Sequence, residues 1–209
     1  MEELDWSGQG QHVEFGVAQP VPLKPLNALG HGGLALVDSV MCRRIRLARK
    51  TMVCTRKQKL ETMIDEVEHL QRLRHPHVVQ LVGSYLQGKK FAILLYPVVQ
   101  WNLASFLELC PDDLNMTARN LKRQALPRFY QCLAHALTYV HENTIKHMDI
   151  KPQNVLVHLD GKVDGDFRVY FVSLNFILKR ISNADHLRRA DFGISKRFAA
   201  GEFSQTDGG

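Results

Sequence analysis

No CxxC pair occurs among the four cysteines, Cys42, Cys54, Cys110 and Cys132, so the chain encodes neither a dithiol redox motif nor a zinc ribbon. Free thiols in a reducing compartment are expected instead. The opening MEELDWSGQG is acidic and polar where a secretory signal would be basic and then apolar. The longest apolar run, VYFVSLNFIL, is about half of what a membrane-spanning helix needs. The expectation is an intracellular protein, cytoplasmic or nuclear, with no membrane partner. A formal charge of +6 would suit a nucleic-acid binder. The lysines and arginines are spread along the chain, however, with no aromatic-interleaved basic motif and no zinc-finger spacing, so no nucleic-acid partner is expected.

What is present suffices for a folded domain: 209 residues, of which 45% are hydrophobic. Residues 1–25 are polar and punctuated by Gly10, Gly16, Pro20, Pro22 and Pro25, which predicts a flexible leader without chemistry. From Leu26 to Met52, short apolar runs around a glycine cluster predict three antiparallel strands. Leu60, Met63, Ile64, Val67, Leu70 and Leu73 then recur at helical spacing until Pro76, which cannot continue a helix. Two more strands follow in VVQLVGSYLQ and KKFAILLYPVV, with Gly88 as the turn former between them. After them Asn102 can cap a short helix, and a longer one carries Phe129, Leu133, Leu137 and Val140 on one stripe.

Candidate chemistry gathers at four places. Gly30, Gly32 and Gly33 between two strands leave a loop without Cβ atoms whose amides can face an anion, although a plain hairpin turn explains them equally well. Lys50 lies in an apolar strand, where a lysine is ordinarily an exposed edge residue; Glu66 on the next helix offers it a counter-charge. The segment HMDIKPQNVLV packs His147, Asp149, Lys151 and Asn154 into one constrained loop, supplying a base, a cation and a metal ligand. In ADFGIS, Asp191 is a carboxylate followed by an aromatic anchor and a glycine hinge.

Taken as an ordered set, these motifs resemble the eukaryotic protein kinases of serine/threonine type, over about residues 26 to 209. The resemblance implies an α+β fold: a five-stranded antiparallel small lobe with one helix over residues 26–100, then the first part of a helical large lobe over 101–209. It also implies ATP and Mg2+ as cofactors and a protein bearing serine or threonine as substrate. Gly30, Gly32 and Val37 fall in the glycine loop, with Ala35 in place of its third glycine. Ala48 and Lys50 match the phosphate-binding strand and Glu66 its helix partner. Leu95 falls at the gatekeeper and Tyr96 to Val98 at the adenine hinge, with Val37, Ala48 and Leu156 sandwiching the base. Asp149 matches the catalytic aspartate and Lys151 its neighbouring cation, while Asn154 and Asp191 match the magnesium ligands. A stacked spine of Leu70, Leu81, His147 and Phe192 is implied as well.

Departures from the pattern bear on activity. Met148 stands where the family has an arginine that pairs with an activation-segment phosphate, so phosphorylation there is not expected to be the on-switch. The sequence ends at GEFSQTDGG, inside what the resemblance makes the activation segment, which implies a C-terminally truncated chain. His147 and Asp191 are 44 residues apart, whereas the family has roughly twenty between the corresponding points. Removing Val163 to Asp185 restores the usual spacing and leaves NVLVHLDGKHLRRADFGIS, a strand, a turn and a second strand. A genuine insertion, an intron translated in frame and a sequence error all fit that surplus. The functional expectation is an ATP-dependent serine/threonine kinase, the alternative a catalytically impaired nucleotide-binding fragment or scaffold.

Overall fold

The computed structural model describes residues 5–32, 35–54, 57–99, 101–108, 116–143, 150–159 and 167–171. Its elements, in chain order, begin with strands β1 (His12–Phe15), β2 (Lys24–Gly32), β3 (Ala35–Cys42) and β4 (Ile45–Val53). Helix α1 (Lys57–Arg72), strands β5 (Gln80–Gln87), β6 (Lys90–Tyr96) and β7 (Trp101–Asn102), and helices α2 (Leu103–Glu108) and α3 (Met116–Glu142) follow. A 3₁₀ turn (Pro152–Asn154) then leads into β8 (Val155–Leu159) and β9 (Phe167–Phe171).

The larger sheet has six strands in the order β1-β5-β6-β4-β3-β2. The expected five antiparallel strands are there as β2 to β6, but β1 adds a sixth, paired parallel to β5 with His12 opposite Ser84 and Phe15 opposite Gln87. The expectation of a flexible leader over residues 1–25 therefore fails for β1 and for Trp6. HVEF alternates as a strand should, burying Val13 and Phe15, and Trp6 joins them beneath Tyr85. Polar composition suggested a loose segment because four strand residues are too few to outweigh the prolines and glycines around them.

The two faces of this sheet have different covers. Helix α1 buries Leu60, Met63, Val67 and Leu70 against Met52, Phe91, Ile93 and Leu95, the side chains that alternate onto one face of β4 and β6. On the opposite face Val40, Leu47, Tyr85 and Leu94 pack with Trp6, Val13 and Phe15. Full burial of an apolar side chain contributes about 1.5–3 kcal/mol, so both layers hold the sheet from either side. Helix α1 ends just before HPH, as Pro76 dictates.

The second sheet, β7-β8-β9, sits against α3. Asn102 caps α2 by accepting the Ser105 N–H at 2.9 Å. Helix α3 is longer than its apolar stripe predicted and carries Pro127 in its interior. Burial of Ala125, Phe129, Ala136 and Val140 outweighs the hydrogen bond the proline cannot make.

β9 comes from within the supposed surplus. Val157 pairs with Val169 and Val155 with Phe171. The Phe171 N–H also donates to the His77 carbonyl at 2.8 Å, and the Val79 N–H donates to the Phe171 carbonyl at 3.0 Å. Val169 and Phe171 are buried among the α3 residues while Arg168 is exposed, so FRVYF satisfies the two-faced pattern of a half-buried strand. The sequence expectation put residues just before Asp191 in this hairpin; the described structure puts Phe167–Phe171 there.

Candidate active site

The register of the large sheet assembles most of the predicted small-lobe residues. Gly30 lies opposite Val37, Val37 opposite Lys50, and Lys50 opposite Ile93, forming one row across four strands. Two positions along, Ala48 pairs with Leu95 and Leu95 with Leu81. Because side chains alternate, Ala48 and Lys50 leave β4 on the same face. Lys50 is only 5% exposed, which overturns the bland expectation of an exposed edge lysine. An ammonium this buried must be compensated by hydrogen bonds or an opposite charge. Glu66 is carried by α1, the helix packed on that face; its side chain lies outside those described, so the pairing stays a sequence assignment.

Above this row the β2–β3 hairpin supplies the glycines. A Cβ built at Gly30 would meet no heavy atom within 4 Å. Among the described residues nothing therefore demands glycine there on steric grounds. Gly32 closes β2 opposite Ala35, and Gly33 lies outside the described residues.

The second sheet supplies the floor. Leu156 of β8 packs into the same apolar cluster as Ala48, Leu95, Leu70 and Leu81, so residues far apart in sequence meet around one site. Tyr96 ends β6 as an exposed residue, and Val98 follows it half-buried in the connection to β7. The backbone after Tyr96 thus runs along the edge of the apolar cluster. Lys151 precedes the 3₁₀ turn and is half-buried, whereas Asn154 closes the turn at 6% exposure with its N–H donated to the Lys151 carbonyl at 2.9 Å.

Asp149 and Asp191, together with His147 and Phe192 of the expected spine, lie outside the described residues. Among the described residues no cluster of three or more His, Cys, Asp or Glu could hold a metal ion. The donor set assigned from sequence, the Asn154 amide oxygen with the Asp191 carboxylate, is all oxygen and therefore suits a hard cation such as Mg2+.

Sequence reasoning attached no importance to the opposite face of β4, yet the residue before Lys50 is firmly held there. Arg49 donates to both carboxylate oxygens of Asp38, at 3.0 and 2.6 Å, and to the Tyr85 hydroxyl at 3.2 Å. The hydrogen bond to Asp38 is the foremost cause of an Arg49 pKa raised above its ordinary value. Alternation could have placed Arg49 on the face opposite Lys50, and the β3–β4 register sets Asp38 directly across from it, but the Tyr85 hydroxyl comes from a strand remote in sequence. His12 is the other unanticipated group: its Nδ1 lies 2.8 Å from the Ser84 hydroxyl, and burial pushes its pKa down to about 4 against the smaller, raising effect of its interaction with Gln71.

Comparison with known proteins gives the family of the chain. The protein kinase domain family matches residues 23–208. Serine/threonine-protein kinase ULK3 of Rattus norvegicus is 30% identical over 176 residues, covering 82% of this chain and 31% of that protein. CBL-interacting protein kinase 4 of Oryza sativa subsp. japonica is 33% identical over 101 residues, covering 48% of this chain and 21% of that protein. The chain belongs to the protein kinase domain family, and its relatives include kinases of the serine/threonine type. It spans less than a third of the length of these curated relatives.

Proposed function

We propose that the chain carries the nucleotide site of an ATP-dependent protein serine/threonine kinase, which transfers the γ-phosphoryl group of ATP to a protein hydroxyl. The observation that carries this reading is Lys50, a lysine 5% exposed in the middle of a sheet, in register with Val37 and Gly30 and on the same face as Ala48. Lys50, with Glu66 as its counter-charge, orients the α- and β-phosphates; the Gly30 to Val37 hairpin covers them; Ala48, Val37 and Leu156 enclose the adenine. Tyr96 to Val98 offer backbone groups to the adenine edge. Asp149 aligns the substrate hydroxyl and accepts its proton, and Lys151 offsets charge on the transferring group. Asn154 and Asp191 would hold Mg2+, whose charge would offset that of the phosphates.

One observation favours the second reading, a chain that binds nucleotide without transferring phosphate. β9 ends at Phe171, twenty residues before Asp191, whereas the resemblance has the hairpin run directly into that aspartate. Transfer of labelled γ-phosphate to a generic protein substrate, with Mg2+, decides between the two. The kinase reading expects Asp149→Asn to lower transfer by about 10²- to 10⁴-fold while leaving ATP affinity within about threefold. Equal signals from Asp149→Asn and the natural chain, with ATP affinity lost in Lys50→Met, would leave the nucleotide-binding reading.

A further inference from the structure

The segment from Asp5 to Phe15 reaches α1 directly, and β4 through Tyr85 of β5, the two elements that must be held in register for the proposed site to form. Toward α1, the Gln71 Nε2 donates to the Gln11 Oε1 at 2.8 Å, and Gln71 also meets the His12 ring. Gln71 lies one turn and a residue beyond Glu66 on that helix. Toward β4, the Trp6 ring lies 5.8 Å from that of Tyr85, whose hydroxyl receives a hydrogen bond from Arg49, the neighbour of Lys50.

The segment is itself anchored by shape. The Trp6 indole N–H donates to the Gln11 carbonyl at 2.9 Å, which also accepts the Ser84 N–H at 3.1 Å. Indole and carbonyl sit over Gly83, at a break in the β5–β6 register, where any Cβ would collide with both. Of Gly30 and Gly83, the strand glycines whose surroundings are described, Gly83 is the one whose missing side chain the fold uses directly. Its consequence is a close seat for a tryptophan that is 4% exposed.

We propose that Asp5–Phe15 is a positioning clamp: by joining the edge of β5 to the end of α1, it fixes the helix that carries Glu66 relative to the strand that carries Lys50. The inference rests on the nucleotide-site reading for its catalytic consequence, but not for its mechanical one. Apolar packing between α1 and the sheet is non-directional, and a helix held only by such packing can slide or rotate. A directional hydrogen bond near its end, from a segment locked to the sheet, selects one of those positions. Trp6, Gln11 and Gln71 are positioning residues in this account and do not touch nucleotide.

The test uses the full chain with Trp6→Ala, Gln71→Ala, Gln11→Ala and the Gln11/Gln71 double variant. Val17→Ala serves as control, since Val17 is 83% exposed. Hydrogen exchange of α1 amides, read without nucleotide, is expected to accelerate about tenfold in Trp6→Ala and Gln71→Ala and to stay unchanged in the control. Exchange in β6 should not change in Gln71→Ala, which separates loosening of α1 from global loss of stability. The two glutamine substitutions should be non-additive. In phosphate transfer, Gln71→Ala is expected to lower kcat several-fold more than it raises KM for a protein substrate. If the natural chain neither binds ATP nor transfers phosphate, the nucleotide-site reading fails while the exchange arm still judges the clamp. Unchanged α1 exchange in Gln71→Ala, together with additive glutamine variants, overturns the clamp whatever the activity.

Discussion

Tyr139 of α3 and His75 of the turn after α1 stack with ring centroids 5.1 Å apart and planes inclined by 27°. The Tyr139 hydroxyl also accepts the Arg74 N–H at 2.8 Å, so one side chain joins the helical part of the chain to the end of the sheet-covering helix. The same turn receives β9 through His77 and Val79. The junction between the two sheets is thus built on the HPH segment, whose proline also stops α1.

This junction predicts a graded response. Tyr139→Phe removes a hydrogen bond to an exposed N–H and should cost on the order of 0.5–1 kcal/mol in denaturant unfolding. Tyr139→Ala removes the stacked ring as well and should cost about 3 kcal/mol. Because the two rings are in contact, Tyr139→Ala combined with His75→Ala should cost less than the sum of the single changes. An additive result would show that the stacking contributes nothing.

The buried imidazole of His12 predicts acid sensitivity well above the range of the carboxylates. Its pKa falls from 6.5 to about 4 on folding, chiefly by burial. The unfolded chain therefore binds the proton more readily, and stability declines as pH drops below about 6.5 toward 4. His75 is shifted in the same direction, first by burial and then by His77 and His135, and adds to the decline. Between about pH 7 and pH 4 the natural chain should lose about 2 kcal/mol more than His12→Gln, a value reduced for the residual exposure of the ring. Chemical denaturation across that range measures it, and parallel pH profiles for the two chains would refute the assignment.

The source of β9 predicts the effect of removing residues 163–185. That deletion takes away the described β9 and brings HLRRA, which ends directly before Asp191, into the position after the β8 turn. If the hairpin slot delivers Asp191 to the site, the deleted chain should show at least about tenfold tighter Mg2+-dependent ATP binding or faster phosphate transfer than the natural chain. Nucleotide titration with and without Mg2+ reads the difference. Equal Mg2+ dependence in the two chains would show that the identity of this strand does not govern metal binding.

Much of the site could be read from the chain itself because its pieces are local. Lys50 alternates onto the face of Ala48 by strand geometry, Asn154 follows Pro152 within one short turn, and the apolar stripe of α1 is written at helical spacing. The strands β2 to β6 and the helix between β4 and β5 were legible as apolar runs, a glycine turn and a helical stripe, whereas the pairing of β4 with β6 was not. Trp6 and Gln11 were illegible for the opposite reason: a tryptophan in a polar leader gives no period, and its seat exists only because Gly83, far along the chain, leaves room for it.

The sequence by itself determined the inventory: the family to which the chain belongs, the amphipathic helix, a lysine in an apolar strand, and the ordered motifs around them; that this lysine is buried came from the fold. Only the tertiary structure decided two pairings. It placed β1 parallel to β5, and it gave the strand beside β8 to Phe167–Phe171 in preference to residues nearer Asp191. Strand partners are chosen by which side chains can be buried together across long separations, and FRVYF offers Val169 and Phe171 to the core that α3 presents. Local pattern says that a segment can be a strand; the shape of the remaining core says whose strand it becomes.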